Sequence, residues 1–495
     1  MPATSGKTIK NNNMKNTFLI SIFLFLTTIV FSQEKQQYTT IDKYMTVWHG
    51  RSKDHLTLQS EQKFETYRTA PAENRIAIVP NEKHQPILGF GSSLMDSDIY
   101  HLMRMSDKER EAALRALFDP VDGAGWNLMR IAFGTSGWDR DWNFYSFNDM
   151  PDGQTDPELE NFSVKQHKEY KHFQLYREIL KINPHVKFVA AVWSPPAWMK
   201  DSKQLVSRGK VMPQYYEVYA KYLVKSIRAY EAKGVPIHSI SVQNEPFCDY
   251  NTKYPQSLYH DWRDLRDVNI AVATEFKKEK ISTELWIYDQ NFNAIKDYAL
   301  PLMRDESLKG MYQGVAWHLY DGGKGSDIQP VLEEFPDMPM YMTERVAYDI
   351  EGMSVIIECM RNDLRCYIQW VTMSDEYDGP YQWAGGSEHI VVPAPQVHKY
   401  KALYNLRKAP DIWYTTWAYY NYAQLTKFVQ RGAVRVGSTE TNNAVKNAAF
   451  LNPDGSIVIV IVNTGEEPKN AVVQLDGKIT NVDLPDKSTS TLIFR

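Results

Sequence analysis

From residue 86 to about residue 430 the chain repeats one unit: a short apolar run ending in polar or aromatic residues, then an amphipathic helical stretch. Eight such runs can be read, at 86–91, 127–133, 186–193, 237–243, 284–289, 314–318, 340–343 and 366–370. Helical periodicity lies between them at 107–118, 169–181, 214–233, 262–280, 294–302, 328–334 and 352–362. Strands buried on both faces read as continuous apolar runs, because neither face meets water. Strands alternating with helices over this length predict a (β/α)8 TIM barrel of the α/β class.

From about residue 432 the helical period stops. Runs at 434–437, 448–451, 456–463, 471–475, 479–484 and 490–494 read as strands, and Asn452-Pro453-Asp454-Gly455 is a tight hairpin signal. They predict an accessory all-β sandwich, which extended pieces at 63–68 and 75–79 are available to complete. The expected division is a leader with N-terminal sandwich strands at 33–83, the barrel at 84–431 and the C-terminal sandwich at 432–495. The polar segment from 33 to about 55 has no clear period and reads as leader or linker.

Residues 1–32 read as a signal peptide. Met14 and Lys15 open a basic stretch, with Met14 a possible true start, and an apolar run follows from Phe18 to Phe31. That run is short for a membrane span, so the expectation is export to the periplasm or medium with no stable span after cleavage. Cys248, Cys359 and Cys366 are too few for a disulfide framework and read as ordinary residues. A net charge of -4 argues against nucleic acid as a partner. The aromatic fraction is 13%, which suits a large core, an interface or a surface that stacks on sugar rings. Trp126, Trp138, Trp142, Tyr145 and Phe147, on or near the strand-two loop, are candidates for shaping sugar subsites. The dense run 413–422 reads as packing.

In such a barrel the chemistry sits at the C-terminal ends of the strands. Strand four ends Gln243-Asn244-Glu245-Pro246 and strand seven Thr343-Glu344-Arg345. Strand six ends Trp317-His318-Leu319-Tyr320, strand three Trp193-Ser194-Pro195-Pro196 and strand eight Gln369-Trp370. These are carboxylates among aromatics and amides, with little of the positive charge that a phosphate needs. Glu245 and Glu344 are brought to one face, and two carboxylates about a bond are the apparatus of glycoside hydrolysis. Surface or ion-pair roles for both are the competing reading. Asn244 suits a sugar 2-hydroxyl or a loop cap, and Trp193 and Trp370 suit a pocket wall or barrel-top packing. His318 and Tyr320 alternate, so they share a face, and Tyr320 is placed to hydrogen-bond a nucleophile. No second His or Cys lies at metal spacing, so neither metal nor cofactor is expected.

The residues resemble glycoside hydrolase family 30, of clan A, in its glucosylceramidase-like form. The likeness runs from Gly89 to Arg495 through Gly89-Phe90-Gly91-Ser92-Ser93, Asn127-Leu128-Met129-Arg130-Ile131, Trp193-Ser194-Pro195-Pro196-Ala197-Trp198-Met199-Lys200, Gln243-Asn244-Glu245-Pro246, Thr343-Glu344, Arg435-Val436-Gly437 and the 452–456 hairpin. The resemblance implies a retaining β-glycosidase working by double displacement. Glu245 is then the acid/base, Glu344 the nucleophile and Asn244 the 2-hydroxyl contact. Arg130, Trp193, Tyr320 and Trp370 fall on positions lining the subsite for the non-reducing sugar, with Trp370 supported by its spacing to Gly379-Pro380. The expected substrates are β-glucosides in an oligosaccharide, polysaccharide or glycolipid, as for glucosylceramidases and β-1,6-glucanases. Three departures bear on the sugar. Gly137 stands where an Asp holds remote hydroxyls, with Asp139 close by as a substitute; Ser92 stands where Gly is usual; and Arg345 follows the nucleophile where a small residue is common. They keep β-xylosidase, β-fucosidase and glucuronoxylanase open, and more remotely an inactive carbohydrate-binding protein.

Overall fold

The computed structural model describes residues 37–48, 55–60, 62–66, 74–136, 144–206, 208–247, 249, 255–375, 390–392, 413–441 and 444–495. The signal-peptide reading, Cys248, Gly137, Trp138, Asp139, Trp142 and Gly379-Pro380 lie outside the described residues. Among the described residues no helix is long and apolar enough to cross a membrane.

Eight strands close into a barrel. They are β1 (Gly89–Ser93), β2 (Leu128–Ala132), β3 (Lys187–Ala191), β4 (Ile237–Ser241), β5 (Glu284–Asn291), β6 (Gly314–His318), β7 (Met340–Arg345) and β8 (Leu364–Gln369). Each pairs in parallel with the next, and β8 returns to β1 through Cys366 opposite Gly89. Every apolar run read from the sequence overlaps one of these strands. Helices including Asp107–Phe118, His172–Ile182, Tyr216–Glu231, Trp262–Glu279 and Ile350–Arg361 follow their strands.

Side chains alternate along each strand, so the barrel interior is layered. Leu128, Val189, Trp286, Ala316, Tyr341, Cys366 and Ile368 form one apolar cluster. Two residues further along β2 and β6 the same face carries Arg130 and His318, both fully buried. Above these, Ala132, Ala191, Trp193, Trp370 and Val371 form a second apolar cluster with Met95. Ionic side chains are thus held between two apolar layers. Gly91 is dictated by crowding: a Cβ there would lie 1.7 Å from the Leu128 carbonyl oxygen of β2. Its neighbour Ser92 is accommodated, with Oγ donating to the Gln369 carbonyl at 3.1 Å.

The sandwich strands come from both ends of the chain. The sequence of partners runs Ile41–Val47, Ser488–Phe494, Ile457–Asn463, Val445–Leu451, Val434–Ser438, Asn74–Pro86, Lys469–Leu475 and Lys478–Leu484. Asn74–Pro86 pairs with Val434–Ser438 on one side and Lys469–Leu475 on the other. The segment read as a polar leader therefore contains a strand: Ile41 lies opposite Phe494 and Val47 opposite Ser488. Its polar residues Asp42 and Lys43 hid the pattern, although the Lys43 ammonium is satisfied by the Asp483 carbonyl at 2.8 Å. Helix Trp417–Thr426 packs against this seam, with Gln424 Nε2 donating to Thr46 Oγ1 at 2.8 Å and Thr489 Oγ1 to Asn421 Oδ1 at 2.6 Å. Trp126, Tyr145 and Phe147 are buried in the core cluster that contains the helices. Trp126 lies against Phe118 and Tyr422, so these three aromatics pack rather than line a subsite.

Candidate active site

The strand ends converge on one guanidinium. Arg130, on β2, is completely shielded. Its Nη1 donates to Glu344 Oε2 at 2.5 Å, and its Nη2 to Asn244 Oδ1 at 2.6 Å and Asp289 Oδ2 at 2.9 Å. The face of Trp193 covers it, with Cζ 4.9 Å from the ring centroid. A buried cation persists only where charges and acceptors replace water. Burial presses against the Arg130 charge, and Asp289 and Glu344 outweigh it.

His318, on β6, occupies the opposite side of the cluster. Its Nδ1 is 3.2 Å from Glu245 Oε1, and its Nε2 is 3.2 Å from Asp289 Oδ1 and 3.9 Å from Glu344 Oε2. Burial alone would strip its proton. The Glu344 charge and the hydrogen bonds to Asp289 and Glu245 win, and the pKa is pushed up to about 9. The imidazole is therefore an imidazolium near neutral pH and donates from both nitrogens. Asp289 is buried as well, but Arg130, His318 and the Thr343 hydroxyl at 2.7 Å hold its carboxyl well below the usual range.

Backbone geometry places the acids. Glu245 sits at φ 48°, and Tyr288 and Asp289 at 78° and 56°, all in the left-handed region. Such conformations cost a side-chain-bearing residue about 1 kcal/mol or more and cluster at functional sites. Here they brace one another, since the Glu245 amide donates to the Asp289 carbonyl at 3.0 Å. Glu245, His318 and Glu344 bring donor atoms within 4.8 Å of one another. Burial drives the Glu344 carboxyl upward, with His318 and Arg130 pulling down and Glu245 and Asp289 pushing up; the net direction is upward.

Among the described residues, two groups of three could hold a metal ion: Glu245, His318 and Glu344, and separately Asp96, His167 and His172. In the first set His318 holds a proton and Arg130 already lies on Glu344. In the second, His172 Nε2 bonds Asp96 Oδ1 at 2.8 Å and His167 Nδ1 bonds the Tyr230 hydroxyl at 2.5 Å.

The glycosyl hydrolase family 30 TIM-barrel domain matches residues 87–357, and the family's β-sandwich domain matches 432–492. The chain belongs to glycosyl hydrolase family 30. An endo-1,6-β-D-glucanase of Neurospora crassa is 27% identical over 401 residues, covering 78% of this chain and 80% of that protein. The lysosomal acid glucosylceramidase of Mus musculus is 22% identical over 423 residues, covering 79% and 78%. The solved structure of an endo-β1,6-glucanase superposes with a TM-score of 0.78 at 26% identity, covering 92% of this chain and 99% of that one. The protein is thus a glycoside hydrolase.

Within this family 30 enzyme the residues singled out from the sequence come together, with two adjustments. Trp193 is 1% exposed and stacks on Arg130, and its ring is 5.8 Å from that of Trp370, so Trp193 supports the guanidinium more than it offers an open wall. Tyr320 is joined to β5 by its amide, which donates to Asn291 Oδ1 at 2.7 Å. Burial and the charges of Glu344 and Glu245 keep its hydroxyl protonated. Arg345 turns to the Leu319 carbonyl and the Tyr320 ring, 5.8 Å from Cζ to centroid. Asp289 was missed. It ends the fifth apolar run, and asking of that strand what was asked of the others would have found it.

The charge on His318 gives a pH dependence with a definite sign. Its pKa rises from 6.5 unfolded to about 9 folded, so its contribution is fully present below about 6.5 and is lost as pH rises through about 9. The size is about 3 kcal/mol. Urea unfolding at pH 6 and pH 10 should show the native state weakening over this window, and His318→Gln should flatten the difference. An equal pH response in both proteins would show that His318 is not the group.

Proposed function

We propose that the protein is a retaining β-glycosidase acting on β-glucosides, in the manner of β-1,6-glucanases or glucosylceramidases. The observation that carries this is the approach of the Glu245 and Glu344 carboxylates to within 4.8 Å, with Arg130 bonded to only one of them. Retaining enzymes hold their carboxyl groups about 5–5.5 Å apart, whereas inverting enzymes leave about 6.5–9.5 Å for a water. Two cations, Arg130 and His318, face three carboxylates, Asp289, Glu344 and Glu245. The Arg130 hydrogen bond favours the ionised form at Glu344, the form that a nucleophile needs.

In the first step Glu344 attacks the anomeric carbon while Glu245 gives its proton to the departing oxygen. In the second, Glu245 takes a proton from water, which displaces Glu344. Asn244 spends its Oδ1 on Arg130, so its Nδ2 is the group presented to the sugar 2-hydroxyl. Trp370 borders the sugar, and Tyr320 offers its hydroxyl to the nucleophile side. The likeness to endo-1,6-β-glucanases, at 26–27% identity, supports the choice of β-glucosides. The apolar run from Phe18 to Phe31 supports export.

Proton NMR during hydrolysis of a β-1,6-linked glucan decides both parts. The first-formed reducing sugar should be the β-anomer, mutarotating only later. First appearance of the α-anomer would end the retaining assignment. Cleavage of xylan or β-fucosides, with none of β-1,6-glucan, glucosylceramide or aryl β-glucosides, would move the enzyme to another sugar.

A further inference from the structure

Lys200 is a buried cation that the double displacement does not use. Lys200 follows β3 by nine residues and its side chain is 0% exposed. Burial brings the ammonium down to about 7, with the charge of Asp201 acting the other way. A lysine in such a place needs acceptors in return for lost water. Its Nζ donates to Ser194 Oγ at 3.2 Å, to the Leu205 carbonyl at 3.4 Å and to the Gln256 carbonyl at 2.6 Å.

These acceptors belong to different segments. Ser194 is at the exit of β3 and Leu205 is in the turn beyond it. Gln256 is in the stretch that returns from the exit of β4. The same seam is stitched by the Leu258 amide to the Gly209 carbonyl at 3.0 Å and by a bridge between Val206 and Pro255. The returning stretch then reaches the acid/base peptide directly: the Tyr259 amide donates to the Pro246 carbonyl, and the Tyr298 hydroxyl holds the Tyr259 carbonyl at 2.8 Å. Glu245, the residue before Pro246, rests on left-handed backbone that its surroundings must maintain.

We propose that Lys200 is a positioning residue for proton transfer: it staples the exits of β3 and β4 together and, through Tyr259 and Pro246, fixes Glu245 against the leaving-group oxygen. The proposal rests on the acid/base role given to Glu245 above. It predicts a selective defect. A displaced acid hurts substrates whose leaving group needs a proton and spares those whose leaving group departs as an anion.

The test compares phenyl β-glucoside with 2,4-dinitrophenyl β-glucoside in wild type, Lys200→Met and Glu245→Ala. Lys200→Met keeps the length of the side chain. Its kcat/KM should fall at least about 30-fold on the phenyl substrate and under about 3-fold on the dinitrophenyl one. Lys200→Arg, which keeps charge and donors, should recover part of the loss. Equal loss on both substrates would mean that Lys200 serves only the fold and would overturn the proposal. If Glu245→Ala discriminates between the substrates and Lys200→Met does not, the staple alone is wrong. If Glu245→Ala does not discriminate, the acid/base assignment falls first. Should Lys200→Met fail to fold, Ser194→Ala is read by the same ratio, and an unchanged ratio there is equally fatal.

Discussion

Glu344→Gln should lose at least about 10⁴-fold in kcat while still folding and still binding sugar. The substitution changes little in shape. A glutamine carbonyl can accept the Arg130 Nη1 hydrogen bond now made at 2.5 Å to Glu344 Oε2. What it cannot do is form a bond to the anomeric carbon and leave again. Asn244, held by Arg130, and Trp370 still orient the sugar, so KM should move far less than kcat. The covalent step has its own readout. A 2-deoxy-2-fluoro-β-glucoside with a good leaving group traps the glycosyl-enzyme, because the fluorine slows both steps and the leaving group rescues the first. Intact mass should rise by one fluoroglucosyl unit in the wild type, peptide mapping should place it on Glu344, and Glu344→Gln should gain nothing. Label on any other carboxylate would reassign the nucleophile.

Glu245→Ala should behave differently. For an aryl glucoside with a poor leaving group, kcat/KM should fall about 10²–10⁴-fold, the usual value of a positioned acid. For a dinitrophenyl glucoside kcat/KM should stay near the wild-type value, since that departure needs no proton. Its kcat should still fall, because water no longer has a base in the second step, and KM should fall with it as glycosyl-enzyme accumulates. Added azide fits the vacated volume and attacks without a base, so kcat should recover and the product should be the β-glucosyl azide. Formation of the α-azide, or no rescue with uniformly slow turnover, would show that Glu245 is not the acid/base group. Removing its carboxylate also takes one partner from His318, which keeps Asp289 at 3.2 Å.

The barrel was legible in the sequence because its signal is local. Each strand is short, apolar on both faces and bounded by its own helix, so neighbouring residues carry the information. The proximity of the candidate pair was legible for the same reason: Glu245 and Glu344 end their runs, and strand-end position in a closed barrel is also spatial position. Other features depend on distant chain. Ile41–Val47 looks like a polar leader until its partner at Ser488–Phe494 is known. Asp289 gains its role from a left-handed pair of residues that turns the end of β5 toward Arg130. The support given by Trp193 to that guanidinium needs strands two and three side by side. Aromatic content, at 13%, was ambiguous in the sequence, and Trp126, Tyr145 and Phe147 show why, since large rings fill the space behind a barrel as readily as its mouth.

The pairing of Ile41–Val47 with Ser488–Phe494 sets an order of events on the growing chain. The early strand Asn74–Pro86 is flanked by Val434–Ser438 and Lys469–Leu475, and the barrel begins at Gly89 only a few residues after it. The first sandwich strands to be synthesised must therefore wait with open edges until their distant partners arrive. A chain cut short before Ser488–Phe494 leaves an open edge on Ile41–Val47, where unpaired amides and carbonyls invite aggregation or proteolysis. The two segments thus work as a clasp, since the early strand Ile41–Val47 finds this partner only after Ser488–Phe494 has been made.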